Sequence, residues 1–157
     1  MARLWLILTA AVLVAAQPQA KDAPPKNDAK PDAVKEELKK LQGPWRMVSG
    51  ERNGEKIPED EAKSVIRSFT DDTFEAKRDG TTITKGKVKL DPSQKPKAID
   101  VIMKGQDDED VTLKGIYEVD GDSMKTCLAP PGQDRPKEFS SKEDSGHMHY
   151  VWKREKK

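Results

Sequence analysis

From residue 45 onward, turn-forming residues return about every ten positions, and between them apolar and polar side chains alternate. That cadence belongs to an antiparallel β meander, since strand–helix–strand units need longer helix-period segments between strands. Eight segments fit it: residues 45–52, 65–70, 73–78, 81–90, 98–104, 111–119, 123–128 and 147–155. Asp71-Asp72, Asp79-Gly80 and Asp120-Gly121-Asp122 supply compact turns, because Asp and Gly accept the positive φ that tight hairpins demand. An open sheet of this kind leaves two unpaired edges, and closing the first strand on the last removes both. The expected fold is all-β, an eight-stranded antiparallel up-and-down barrel.

Two short helices are expected beside it. Asp32 reads as an N-cap, Val34, Leu38 and Leu41 share one helical face, and Gly43-Pro44 stops the helix, which then caps the barrel. The second piece, "PEDEAKS" at 58–64, follows the first strand, with Pro in its first turn and acidic residues near its positive end. Alternation turns Met148, Tyr150 and Trp152 inward, as it does Ile99, Val101 and Met103, Leu113 and Tyr117, and Thr84, Gly86, Val88 and Leu90. Ile83 falls on the outward face with Lys85, Lys87 and Lys89, and Ile116 breaks the pattern of its strand. An eight-stranded barrel has room for its side chains and one small ligand. Inward residues as small as Thr84 and Gly86 make a partly apolar ligand the expected content, bound by Thr84, Tyr117, Met148 and Tyr150.

Residues 1–20, "MARLWLILTAAVLVAAQPQA", carry one early charge, an apolar run too short to span a bilayer, and small residues before two cleavage points, after Ala16 or after Ala20. The expectation is a cleaved export signal, a periplasmic or extracellular product, and no membrane attachment after cleavage. Residues 17–31, rich in Pro, Ala and Lys, read as a disordered linker, and residues 32–157 as a single domain. Removing Arg3 with the signal leaves 28 basic against 28 acidic side chains, so no long-range attraction to nucleic acid is expected. Cys127 is the only cysteine, which excludes an internal disulfide and leaves packing to hold a monomeric fold.

No paired nucleophile and base is found, so no catalytic residue is assigned and the chain does not read as an enzyme. His147 and His149 alternate on one strand and are the candidate metal pair, but a third ligand is not defined; no metal and no cofactor are expected. The carboxylates of "GQDDEDVT", 105–112, lack the spacing of a calcium loop and read as a solvated hairpin. The long connection 129–146 is expected to be an ordered loop pinned by Phe139, and Arg135 and Phe139 are its candidate contacts with an exported or cell-envelope protein.

The stretches "LQGPWRMVSGERNGEKIP", "LDPSQKPKAIDV", "GIYEVDGDSMKTCLAPPGQDRPKEFSS" and "SGHMHYVWKRE" resemble the small exported lipocalin-like, or calycin-type, domain of unknown function abundant in planctomycete bacteria. Pro44 stands where that family usually carries Thr. The resemblance implies a barrel-closure role for Trp45, whose indole would pack under a cation from the last strand, with Arg154 as the matching residue. It implies no catalytic residue. The function expected is small-ligand binding by an exported barrel, the alternative being a filled barrel that acts as an interaction or envelope domain through residues 129–146.

Overall fold

A computed structural model describes residues 29 to 156. The expected signal segment and most of the expected linker lie outside the described residues. The elements run α1 (Pro31–Leu41), β1 (Gly43–Arg52), β2 (Glu55–Lys56), α2 (Glu59–Lys63), β3 (Val65–Thr70), β4 (Thr73–Arg78), β5 (Thr81–Asp91), β6 (Ala98–Lys104), β7 (Asp110–Asp120), β8 (Ser123–Leu128) and β9 (Met148–Arg154). From β3 to β9 each strand pairs with the next, β1 pairs with β3, and β9 returns to β1, closing an eight-stranded antiparallel up-and-down barrel. The two-residue β2 is an appendage of β1. No helix among the described residues is long and apolar enough to cross a membrane.

Period-two alternation builds the core: Trp45 and Met47, Val65 and Phe69, Phe74 and Ala76, Val88 and Leu90, Ile99 and Val101, Leu113 and Tyr117, Met124 and Leu128, and Tyr150 and Trp152 are all buried. The Asp79-Gly80 hairpin has positive φ at both residues (49° and 82°), the backbone those types tolerate. Two bulges break the alternation. One falls between Met47 and Ser49 and brings Gly50 opposite Tyr150. The other falls opposite Ala76 and Lys77, between Thr84 and Thr82, and leaves Ile83 51% exposed.

One end is plugged by α1. Leu41 is fully buried, with Val34 and Leu38 packed against the core beside it. The helix starts at Pro31 and its N-cap is Lys30, not Asp32, which sits inside the first turn as an acidic residue near the helix dipole. Trp45 Nε1 donates to the Leu41 carbonyl at 2.7 Å, and Arg154 Cζ lies 4.2 Å from the Trp45 ring centroid. Arg154 also donates to the carbonyls of Gln42 (2.6 Å) and Lys40 (2.7 Å), so one guanidinium joins β9 to the indole of β1 and to the C-terminal carbonyls of α1. Gln42 clamps the far side by exchanging two hydrogen bonds with the backbone of Asp71.

Deeper in the plug, Glu37 is 5% exposed. It accepts from Lys40 (2.6 Å) and Lys97 (2.8 Å) on one oxygen and from the Tyr117 hydroxyl (3.1 Å) on the other. Burial pushes its carboxyl upward, but the hydrogen bonds from Lys40, Lys97 and Tyr117 outweigh that and hold it below the ordinary 4.5.

Trp45→Ala should cost roughly 3–5 kcal/mol, as a buried aromatic truncation does, measured by denaturant unfolding. Glu37 ionises more readily folded than unfolded, so its contribution is complete above about pH 4.5 and is lost as pH falls through the lower folded value. Thermal melts of the native chain should therefore fall more steeply below pH 4.5 than those of Glu37→Gln, and parallel curves would refute the network's role.

Candidate functional site

At the other end, α2 lies across the barrel mouth, with Ala62 buried, the Ile57 amide donating to the Gly50 carbonyl (2.8 Å), and Arg78 donating to Glu61 (3.1 Å). Beneath it is a cavity of about 110 Å³. Its walls come from five strands and the lid: Met47, Val65, Arg67, Ala76, Thr84, Tyr150 and Trp152 below, and Arg52, Ile57, Glu61, Ala62, Arg78 and Ile83 toward the rim. Gly50 helps shape this end, because a Cβ there would stand 2.8 Å from Ile57 Cδ1 and 3.0 Å from Tyr150 Cδ1. The β4–β5 bulge turns Ile83 onto the rim, which accounts for a large apolar side chain left half in solvent.

Arg67 is the unusual member. It lies between inward Val65 and Phe69 on β3, with Cζ 4.7 Å from the Trp152 ring centroid and 5.0 Å from that of Phe74. Protein atoms crowd it closely. Its remaining accessible surface belongs to a side chain that lines the cavity. Burial pulls the guanidinium down to about 10, with a smaller upward effect from Tyr150, so it remains charged at neutral pH. Tyr150 is 5% exposed; its hydroxyl accepts from Arg52 Nε at 2.9 Å, and its ring meets Trp152 edge-on at 5.9 Å. Trp152 Nε1 in turn donates to Thr126 at 3.2 Å, which fixes the indole that Arg67 rests on.

The sequence-derived ligand residues separate. Thr84 and Tyr150 line the cavity. Tyr117 does not: it is inward, as alternation requires, but sits in the plugged end, bound to Glu37, where burial and that carboxylate push its phenol upward. Met148 packs on the core margin at the last strand's start and does not line the cavity. Trp45 and Arg154 meet at the closed end. Arg67 was missed, although the signal was present: in Val65-Ile66-Arg67-Ser68-Phe69 the alternation that buries Val65 and Phe69 puts Arg67 on the same face.

The 129–146 connection lies on the outer wall. Arg135, read as a partner contact, is turned into that wall, donating to the carbonyls of Ile99 (2.9 Å) and Gly115 (2.6 Å) and to Asp100 (2.7 Å). Phe139 faces the His149 ring at 6.3 Å. The loop thereby covers outward-facing Ala98, Ile116 and Cys127, which explains why Ile116 broke its strand's pattern and is nonetheless 1% exposed. Cys127 Sγ donates to the Ser140 carbonyl at 3.3 Å, and burial pushes its thiol upward. His149 is half-buried, with burial lowering its pKa and Nε2 unpartnered, whereas His147 precedes β9 and borders an open trough of about 870 Å³ along the loop. No group of three or more His, Cys, Asp or Glu able to hold a metal occurs among the described residues.

Compared with protein-family models, curated proteins and solved structures, the chain matches none, so its site is read from geometry alone.

If Arg135 is the staple of this loop, Cys127 should be nearly inert to a thiol reagent in the native chain. Arg135→Ala should raise its modification rate about 10- to 100-fold at unchanged barrel circular dichroism, as expected for losing charge-assisted hydrogen bonds from a local opening. An unchanged rate would mean that other contacts hold the loop.

Proposed function

We propose that the protein is an exported binding protein that holds a small, partly apolar molecule in the cavity beneath α2. The observation that carries this reading is the cavity itself, about 110 Å³ left open among Met47, Ala76, Tyr150 and Trp152 in a barrel whose core is otherwise a cluster of buried apolar side chains. Ligand pockets are concave, mostly apolar and supplied with a few directed polar groups; here those are Arg67, Thr84 and the Tyr150 hydroxyl. The volume is well under the roughly 300 Å³ at which drug-sized pockets begin, which suits a compact metabolite better than a lipid. The alternative, a partner-binding loop at 129–146, has less support because Arg135 and Phe139 are occupied against the barrel; exposed Lys137, Glu138 and Lys142 are what remains for it.

Native mass spectrometry of protein purified from its own source is the test. The wild type is expected to carry a small mass that leaves on unfolding, and Ala76→Leu, which fills the cavity, is expected to lose it while keeping its circular dichroism. A bare wild-type mass in every preparation would count against ligand binding. The same spectrum reads export, through a chain beginning at Gln17 or Lys21.

A further inference from the structure

Six arginines lie among the described residues, and five of them have acceptors. Arg46 pairs with Glu155, Arg52 donates to Tyr150, Arg78 to Glu61, Arg135 to Asp100 and two carbonyls, and Arg154 to two carbonyls. The Arg67 side chain makes no hydrogen bond and no ion pair among the described residues, and its Nε is buried without a partner. Its contacts with Phe74 and Trp152 engage the guanidinium's π-facing surface and leave the in-plane N–H donors without acceptors. A half-buried charge whose Nε is shut away from water without an acceptor is costly, and such a group calls for a partner from outside the chain.

The surroundings point to the sign and shape of that partner. The charged lining is Arg52, Arg67 and Arg78 against Glu61 alone, and Glu61 is already held by Arg78, so the cavity carries a net positive charge. The Tyr150 hydroxyl accepts from Arg52 and keeps its own proton to donate. Beside these two donors the apolar part of the lining is Met47, Val65, Ala76 and Trp152, with Thr84 the one further polar residue away from the rim. The volume equals roughly four water-sized groups.

Resting on the reading that this cavity holds a ligand, we propose that the ligand is a short-chain carboxylate, its anionic head bound by Arg67 and Tyr150 and its apolar tail seated against Met47, Ala76 and Trp152. A planar carboxylate matches the planar guanidinium fork, and it supplies the counter-charge that the chain withholds. Inorganic anions would meet the donors but leave the apolar wall uncovered.

The test is calorimetric titration of the chain, begun at Gln17, with sodium butyrate, butyramide, sodium sulfate and n-butylammonium at one ionic strength. Butyrate should bind, with butyramide and sulfate at least about tenfold weaker and n-butylammonium silent. Arg67→Met should weaken butyrate roughly 10- to 100-fold and melt no lower than the wild type without ligand, because it removes an unpaired charge. Arg67→Lys, which keeps the charge but loses the fork, should bind with intermediate affinity. Equal binding of butyrate and butyramide to the wild type, lost only in Ala76→Leu, would overturn the carboxylate and leave the cavity reading standing. Sulfate as tight as butyrate would overturn the tail contact. Failure of all four probes on the wild type would overturn the proposal, and with a bare native mass would remove the cavity reading as well.

Discussion

The Arg154 guanidinium is the contact on which the rest of the molecule depends. It stands where the last strand rejoins the first, over the Trp45 ring, and it accepts the burden of satisfying the end of α1 by donating to the Lys40 and Gln42 carbonyls. A meander closes only if the first strand finds the last across almost the whole length of the folded chain, and that long-range pairing carries a loop-closure entropy cost. A cation on one strand and an indole on the other add a specific, partly desolvated attraction to that register, and the helix end locks both. The plug of Leu41, Glu37 and Tyr117 then seals this end against water.

Because one end is sealed, any opening must lie at the other. There the strands depart from regularity: a bulge in β1 sets Gly50 against Tyr150, a bulge in β5 turns Ile83 outward, and α2 covers the mouth with a single buried residue, Ala62. Bulges concentrate at barrel rims because a local extra residue re-aims side chains without breaking the ladder on either side. The result is a barrel filled by Trp45, Met124 and Leu90 in its depth and left partly open under its lid.

Arg67 is where local and global requirements disagree. Every neighbour on its face of β3 is apolar, and no acceptor answers it. Sequences that fold well are consistent across levels, and the places where they are not tend to be sites of function. The phenol of Tyr150, held by Arg52, and the indole of Trp152, held by Thr126, fix the surfaces around that charge.

The sequence by itself determined the class of fold. Turn residues at short intervals, period-two alternation in β6, β7 and β9, and the need to remove two sheet edges allow little besides a closed antiparallel barrel, and strand bounds such as 65–70, 73–78 and 123–128 follow directly from them. Alternation reports only the side of the sheet, however, and is silent about height along the barrel axis. Tyr117 and Tyr150 are both inward, yet one lies in the plug with Glu37 and the other beneath the lid. Nor could local pattern show that Arg135 would fold back on the carbonyls of Ile99 and Gly115 and bury an outward Ile116 and Cys127, since those contacts join segments far apart in the chain. Arg67 was legible as inward; that it has no counter-charge there was decided by tertiary structure, because only the assembled barrel shows which carboxylates come near and which are already taken.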